Sequence, residues 1–201
     1  HKEIDFKKLR VDFFVCTAHK MLGPTGVGVL VAREKLLETL SPVRFGGDMI
    51  AHVSLENAIW NDLPSKFEAG TPNISGAFGT IAAIDYLEKL GMDSIAYNDK
   101  KLLEYTLDKL NLEGVTIYNP KDPERQGPIV LFDMEGINSR ELSTLLGDYS
   151  NIATRAGMHC AEPIISRFNK EGLVRASFYF YNTKHDIDLL AKALKEIHKK
   201  F

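Results

Sequence analysis

The sequence predicts an α/β fold followed by a smaller α+β unit, and three observations lead to that prediction. The first part of the chain contains two short apolar strands and two long helices around a glycine-rich turn. After Gly114 short strand-like runs alternate with helical runs. The 201 residues, 44% apolar and 26% charged, have the size and balance of a globular chain of one or two domains. We place the domain boundary near 95–110, which gives domains 1–95 and 96–201.

The first part begins with VDFFVC at 11–16, an apolar, β-branched and aromatic run that predicts a buried strand. A second buried strand is predicted from GVLVA, and leucine spacing or apolar helical periodicity predicts the helices. After the first strand, the elements expected in order are a strand over 28–32 and helices over 33–40, 75–90 and 94–110. The segment 41–73 is predicted to be irregular because glycine and proline interrupt it repeatedly.

After Gly114 the hydrophobic pattern changes and predicts short strands that alternate with helices. The four expected strands cover 115–118, 129–132, 151–154 and 173–178. The three expected helices cover 139–146, 161–168 and 186–198. This mixture is typical of a small α+β domain.

Composition excludes several classes of protein. Lys plus Arg is 25 and Asp plus Glu is 27, so the net charge of −2 provides no broad electrostatic footprint for nucleic acid. No run approaches the roughly 18 apolar residues of a membrane helix, so no membrane partner is expected. Two distant cysteines, Cys16 and Cys160, suggest no disulfide framework and a reducing, cytoplasmic setting. The chain begins with His1 and not with Met, so we expect it to be a piece of a longer protein.

Lys20 is the first candidate for chemistry. It follows the first predicted strand and precedes the glycine turn, which places its amine at the carboxyl edge of a sheet, where ligand crevices of α/β folds open. A lysine partly withdrawn from water there can form a Schiff base with a carbonyl. The alternative is an ordinary surface lysine. The glycines do not form a P-loop, because in that loop the lysine follows the glycines, and we interpret them as a tight turn.

Cys160 and Arg175 are the candidates in the second part. Positive charge from Arg155 or His159 would favour the Cys160 thiolate in a mobile loop, whereas the alternative is a small buried residue. Arg175 interrupts an apolar strand, so an anionic ligand or an internal ion-pair partner should meet its guanidinium. Cys16, inside the first apolar run, is predicted to lie in the core. No histidine has metal-ligand spacing, so no metal site is expected.

Four motifs carry a resemblance to a known family. They are TAHKMLGPTG at 17–26, FEAGTPN at 67–73, RAGMHCAEP at 155–163 and RASFYFYNT at 175–183. With these motifs in this order, the chain resembles the C-terminal half of a class V aminotransferase-type, fold-type I enzyme that uses pyridoxal 5'-phosphate (PLP). Within that family it is similar to the group II, SufS-like cysteine desulfurases, which include the selenocysteine lyase-like proteins. The resemblance covers the whole chain.

The resemblance implies the fold and the cofactor site. Residues 1–95 would be the C-terminal part of a PLP-binding large domain, and residues 96–201 a small C-terminal domain. Lys20 would bind PLP covalently, and Thr17 and His19 would contact its phosphate. Thr71 would reach the phosphate bound by the other subunit of a homodimer. GGDMI at 46–50 resembles a family loop near the active-site entrance and the dimer contact.

The resemblance also implies a reaction and partners. Cys160 would be the nucleophile that takes sulfur from L-cysteine, releasing alanine, and Arg175 would hold the substrate carboxylate. The sulfur would pass to an acceptor protein of the SufE or SufU type for Fe–S cluster assembly. A selenocysteine lyase or cysteine sulfinate desulfinase of the same family is the alternative activity.

Two departures from the family pattern qualify these expectations. Met158 stands where the family often has a histidine, which removes one candidate proton donor. The aspartate that pairs with the PLP ring nitrogen and the histidine that stacks on the ring belong to the family's N-terminal half and lie outside this chain. We therefore expect the isolated chain to be a catalytically incomplete fragment, with an inert fragment or partner-binding module as the alternative.

Overall fold

The structure is a computed structural model that describes residues 1–120 and 122–200. It divides into two units, one formed by Glu3–Met92 and the other by His1–Lys2 with the chain from Asp93 onward. Helices and strands occur in both units. This mixed content agrees with the predicted α/β class.

The first unit holds four strands, paired in two antiparallel hairpins. Its elements are α1 Phe6–Leu9, β1 Phe13–Thr17, β2 Gly28–Ala32, α2 Glu34–Thr39, β3 Ile50–Val53, β4 Ala58–Trp60 and α3 Ile74–Leu90. β1 pairs with β2, and β3 pairs with β4. Short 3-10 turns cover Ala18–Met21 and Ser65–Phe67.

The strands β1 and β2 form where the sequence predicts them, but they are not buried. Val15 is 68% exposed and Leu30 51% exposed. Cys16, predicted to lie in the core, is half-buried. An apolar run predicts burial only where other elements cover both faces, and β1 and β2 pair only with each other in the described part of the chain. The prediction of two buried strands is therefore wrong for this chain.

The segment predicted to be irregular contains the β3–β4 hairpin. Ser54 closes the hairpin: its Oγ accepts from the amide of Asn57 at 3.0 Å, and its own amide donates to the Asn57 carbonyl at 2.8 Å. The strands have only four and three residues, which is too short for alternation to stand out in the sequence. Helix α3 is confirmed, and Gly91 ends it, as predicted, by donating to the Leu87 carbonyl at 3.0 Å.

The second unit is a four-stranded antiparallel sheet with helices. Its elements are α4 Met92–Lys109, β5 Val115–Ile117, β6 Ile129–Met134, α5 Ser139–Ser150, β7 Arg155–Gly157, α6 Glu162–Ile165, β8 Leu173–Ser177 and α7 Lys184–His198. The strand order is β5-β6-β8-β7, with every neighbouring pair antiparallel.

One face of this sheet packs into the hydrophobic core. Phe132 on β6 and Val174 on β8 are fully buried, together with Leu146 of α5 and Leu194 of α7. Each such side chain contributes about 1.5–3 kcal/mol by leaving water. Because side chains alternate along a strand, Arg175 points to the opposite face of the sheet from Val174. The core therefore fixes the face on which Arg175 lies.

One predicted strand of the second unit is misplaced. The sequence predicts a strand at 151–154, whereas β7 covers Arg155–Gly157. Asn151 has a left-handed φ of 54° and donates to the Gly147 carbonyl, so it caps α5 instead of starting a strand. The predicted helix at 161–168 shortens to α6. The remaining predicted elements of this unit occur, with bounds that differ by a few residues.

Candidate functional site

Lys20 lies on the 3-10 turn that follows β1. Thr17 is the last residue of β1, Ala18 is buried, and the side chains of His19 and Lys20 are exposed. The Oγ1 atom of Thr17 is buried and has no hydrogen-bond partner among residues 1–120 and 122–200. A buried hydroxyl without a partner is uncommon, and a ligand oxygen would satisfy it.

The chain beyond Lys20 turns sharply back against Ala18. The Gly23 amide donates to the Ala18 carbonyl at 2.8 Å, and Leu22 has a left-handed φ of 64°. A Cβ atom on Gly23 would lie 2.9 Å from the Ala18 Cβ, so this position requires glycine. The glycine stretch is therefore a tight turn, as predicted.

The N-terminus of α3 packs directly against this turn. A Cβ atom on Gly76 would lie 2.5 Å from Val27 Cγ2, and one on Gly79 would lie 3.1 Å from Pro24 Cγ. The Asn73 side chain caps α3 by accepting from the Gly76 amide at 2.9 Å, and its Nδ2 donates to the Gly26 carbonyl at 3.4 Å. Asn73 therefore links the end of the FEAGTPN segment to the turn that carries Lys20.

Thr71 is exposed in the FEAGTPN segment. The Gly70 amide just before it donates to the Gly47 carbonyl at 2.9 Å. A Cβ atom on Gly46 would lie 3.2 Å from the Ala69 Cβ, so the two segments are closely packed. The FEAGTPN and GGDMI segments therefore form one surface of the first unit.

Thr17, His19 and Lys20 supply the donors that PLP needs. A hydroxyl and an imidazole can bind phosphate oxygens, and a primary amine can bond to an aldehyde carbon. The unpartnered Thr17 hydroxyl is the observation in this structure that favours a bound phosphate, because the fold itself leaves that oxygen unsatisfied. The residues present therefore fit the cofactor.

Cys160 lies at the tip of a tight turn in the second unit. The Ala161 amide donates to the Met158 carbonyl at 2.8 Å, and both central residues, His159 and Cys160, have left-handed φ values of 56° and 58°. This matches a type I′ turn, whose central residues each cost about 1–2 kcal/mol when they are not glycine. The exposed thiol is thus held on a hydrogen-bonded turn, whereas the sequence predicts a mobile loop.

Two arginines lie beside this turn on neighbouring strands. Arg155 on β7 is paired directly with Arg175 on β8, which places both side chains on the same face of the sheet. The Nη2 atom of Arg155 donates to Cys160 Sγ at 3.0 Å. The Nε atom of Arg175 is buried without a partner, and no carboxylate lies within 4.0 Å of this side chain in the described ranges. Arg175 therefore lacks the internal ion pair that was the alternative, and an anionic ligand would satisfy it.

His159 faces the sheet instead of the thiol. Its Nε2 lies 2.8 Å from the Leu173 carbonyl, which can only accept, so Nε2 carries the proton. Its Nδ1 is buried without a partner. Burial lowers the pKa of His159, and the charges of Arg175 and Arg155 lower it further, against the opposing effect of the Leu173 hydrogen bond. His159 is therefore neutral at pH 7.

Two glycines bring β7 and β8 unusually close just before the turn. Gly157 and Gly172 have φ values of 105° and 88°. A Cβ atom on Gly172 would lie 2.6 Å from Gly157 Cα, which is too close for any residue with a side chain. Sequence reasoning missed this pair, although the two glycines that flank the Cys160 segment were the available signal. The pair fixes where the Cys160 turn leaves the sheet.

The predicted site residues thus form two local groups. Thr17, His19 and Lys20 share one turn of the first unit, whereas Cys160 and Arg175 share one sheet of the second. In the described part of the chain, no three His, Cys, Asp or Glu side chains come together as metal ligands would. Within residues 1–120 and 122–200, no helix is long and apolar enough to cross a membrane.

Comparison with known proteins identifies relatives of the whole chain. The family described as aminotransferase class-V matches residues 1–190. A probable cysteine desulfurase of Halalkalibacterium halodurans is 46% identical over 202 aligned residues, which are 100% of this chain and 49% of that protein. The chain therefore spans about half the length of the curated relatives that it matches.

Solved structures resemble this fold closely. The apo structure of a cysteine desulfurase from Thermococcus onnurineus has a TM-score of 0.95 at 36% identity, over 100% of this chain and 50% of that one. A cysteine desulfurase of Escherichia coli in an S-sulfonic acid form has a TM-score of 0.89 at 35% identity, over 97% of this chain and 48% of that one. The likeness to these enzymes confirms the predicted fold class.

Proposed function

Because this chain belongs to the class V aminotransferase family, we propose that the full-length protein containing it is a PLP-dependent cysteine desulfurase. It converts L-cysteine to L-alanine and keeps the sulfur as a persulfide on Cys160. The observation that carries this proposal is the exposed Cys160 thiol, which accepts from Arg155 beside Arg175, whose buried Nε has no partner among the described residues. The assignment of the chain to the C-terminal half of such an enzyme rests on the four motifs and stays a prediction.

Lys20, Thr17 and His19 hold the cofactor in this proposal. The exposed Lys20 amine would bond to the PLP aldehyde, and the Thr17 hydroxyl and the His19 imidazole would donate to the phosphate. PLP, when bound, supplies the electron sink that weakens bonds to the substrate Cα. The Lys20 amine would take and return the proton at the substrate Cα. Residues 1–95 then correspond to part of the PLP-binding domain, and residues 96–201 to the small domain.

Cys160 carries out the sulfur transfer. Its thiolate attacks the substrate sulfur, so that an S–S bond forms while the Cβ–S bond of the substrate breaks. The electron pair of the broken bond stays with the substrate carbon, which takes up a proton and leaves as alanine. One cysteine and one Cys160 thiol thus give one alanine and one persulfide. No external oxidant is required.

Arg175 orients the substrate in this proposal. Its guanidinium provides two parallel donors that match a carboxylate, and its Nε has no partner in the described part of the chain. Arg175 lies on the face of the sheet opposite the hydrophobic core. A lysine at this position would keep the charge but lose the two-pronged geometry.

The remaining parts of the proposal concern assembly. The exposed Thr71 reaches the phosphate of a second subunit in a homodimer, and the packed FEAGTPN and GGDMI segments form part of that contact. The exposed persulfide on its turn is accessible to a cytoplasmic sulfur acceptor of the SufE or SufU type, which serves Fe–S cluster assembly. The exposure of the Cys160 thiol supports this transfer.

Two assays of the full-length protein test the proposal. The first measures alanine released from L-cysteine by the wild type, by Cys160→Ser and by Cys16→Ser, which is the matched control because Cys16 is the second cysteine. We expect Cys160→Ser to lose turnover and Cys16→Ser to keep it. Cysteine turnover that does not need Cys160 would contradict the persulfide mechanism, and retained turnover of selenocysteine or cysteine sulfinate in Cys160→Ser would favour the alternative lyase activity.

The second assay locates the cofactor. Borohydride reduction of the PLP-loaded protein, followed by peptide mass mapping, should leave the cofactor on Lys20 and not on the exposed Lys35. An adduct on another lysine, or none at all, would contradict the assigned cofactor site.

A further inference from the structure

We propose that Arg155, and not His159, is the group that stabilises the Cys160 thiolate and its persulfide, and that His159 is a positioning residue. This inference rests on the proposed function and deepens it. The sequence alone left both residues open as the source of positive charge. The structure separates them by what each side chain contacts.

Arg155 contacts the reacting atom directly. Its Nη2 donates to Cys160 Sγ at 3.0 Å, within hydrogen-bond range for sulfur. The guanidinium is always charged, so this contact favours the anionic form of sulfur at every pH at which the protein is folded. Arg155 also lies opposite Arg175, and two like charges on paired residues repel each other unless an anion lies near them. A thiolate or persulfide anion at Cys160 supplies that negative charge.

His159 makes no contact of this kind. Its Nε2 donates to the Leu173 carbonyl at 2.8 Å, and its buried Nδ1 has no partner among the residues that the structure describes. Burial and the two neighbouring arginines lower the pKa of His159, which keeps the ring neutral at pH 7. The bond to Leu173 ties the turn to the first residue of β8. His159 therefore holds the left-handed turn on which the thiol is exposed.

Charged or titratable residues lie on each element beside the Cys160 turn. Arg155 on β7 and Arg175 on β8 are cationic, His159 in the turn is neutral, and Glu162 at the start of α6 is exposed. Only Arg155 among them donates a hydrogen bond to Cys160 Sγ. Arg155 is therefore the cation that contacts the reacting sulfur.

The experiment measures alkylation of Cys160 by iodoacetamide in the full-length PLP-loaded protein. Rates are determined across a pH series by peptide mass mapping for the wild type, Arg155→Gln, Arg155→Lys and His159→Asn. Asparagine tolerates the left-handed φ and removes the imidazole ring, so this variant tests whether the ring supplies charge to the thiol. Arg140→Gln, an exposed arginine on α5, is the control for the removal of one positive charge.

We expect Arg155→Gln to lower the alkylation rate at pH 7 about threefold to fivefold, which is the size of effect typical of an exposed ion pair. The rates should converge at high pH, where the thiol is ionised in both proteins. Arg155→Lys should restore part of the loss, and Arg140→Gln should match the wild type. A merely structural role of Arg155 would lower the rate equally at all pH values, and that result would overturn the inference.

Two further outcomes decide against the inference. The first is an alkylation rate that depends on pH in Arg155→Gln as it does in the wild type. The second is a His159→Asn variant whose alkylation profile shifts as far as we expect for Arg155→Gln. If Arg155→Gln does not fold, as judged by circular dichroism, the Arg155→Lys profile decides, because an unaltered profile would contradict a specific guanidinium contact. Alanine release from L-cysteine is measured in parallel. A wild type that releases none refutes the proposed function, whereas the alkylation profiles still test Arg155.

Discussion

Replacing Gly172 by alanine tests how the fold holds the Cys160 turn. The new Cβ atom would lie 2.6 Å from Gly157 Cα and 2.8 Å from its carbonyl oxygen, both of which are backbone atoms that cannot rotate away. Overpacking of this kind costs about 1–3 kcal/mol. The left-handed φ of 88° adds about 1–2 kcal/mol for a residue with a Cβ. We therefore expect Gly172→Ala to lower the free energy of unfolding of the second unit by about 2–5 kcal/mol.

Two other glycines in the same unit separate these contributions. Gly136 has a left-handed φ of 80°, and a Cβ atom added to it would meet no other atom within 4 Å, so Gly136→Ala should cost only about 1–2 kcal/mol. Gly147 lies inside α5 with ordinary φ and open space, so Gly147→Ala should stabilise by about 1 kcal/mol. From most to least stable, the expected order is thus Gly147→Ala, wild type, Gly136→Ala and Gly172→Ala.

Urea unfolding followed by circular dichroism, with hydrogen exchange of the β6 amides, measures the stability of the second unit. Fluorescence of Trp60, the single tryptophan, reports the first unit and serves as an internal reference. Gly172→Ala should also slow sulfur transfer to Cys160, because the widened β7–β8 spacing displaces the turn. If Gly172→Ala is no less stable than Gly136→Ala, the close approach of the two strands does not constrain this region.

Three further predictions concern single contacts of the second unit. Tyr118→Phe removes the hydrogen bond from the Tyr118 hydroxyl to Asp133 at 2.7 Å and should cost about 1 kcal/mol in urea unfolding. Because burial and Asp133 raise the pKa of Tyr118 from 10.0 to about 12, the wild type should lose stability as pH rises through that window, and Tyr118→Phe should lose less. Asp186→Ala removes the carboxylate that accepts from the Thr183 amide at 2.8 Å at the start of α7, and thermal unfolding should show a loss of about 1 kcal/mol. That hydrogen bond lowers the pKa of Asp186, so the contribution should disappear on acidification through the carboxyl range; an equal loss at all pH values would contradict it. Arg175→Lys should raise KM for L-cysteine by roughly tenfold, whereas an unchanged KM would exclude Arg175 from carboxylate binding.

Much of the fold follows from periodicity, because long helices and core strands carry strong local signals. Helix α3 and strand β2 occur where the sequence predicts them, since their apolar spacing is regular and glycine marks the end of α3. The predicted strand at 151–154 is misplaced because these residues have strand-like composition, whereas Asn151 caps the end of α5 and β7 begins only at Arg155. The exposure of Val15 could not be predicted, since burial depends on elements outside the run itself.

The candidate site was predictable as a set of residue types but not as a set of contacts. The motifs identified Lys20, Cys160 and Arg175, and the apolar context of Arg175 indicated an anionic partner. Whether Arg155 or His159 acts on the thiol depends on side-chain direction, which adjacency in sequence does not specify. The carbonyl of Leu173, 14 residues beyond His159 in the chain, lies 2.8 Å from the His159 Nε2, and no local sequence signal announces that contact. The turn that carries Cys160 could not be predicted either, because neither of its central residues is glycine.

The mass of the Cys160 peptide after one turnover tests the central proposal most directly. The full-length PLP-loaded protein is mixed with one equivalent of L-cysteine without an acceptor or reductant, quenched in acid and digested. The proposal predicts one added sulfur atom on the peptide that contains Cys160, one alanine released per persulfide formed, and no added sulfur on the Cys16 peptide. Alanine release without added sulfur on Cys160, or added sulfur on Cys16 instead, would contradict it.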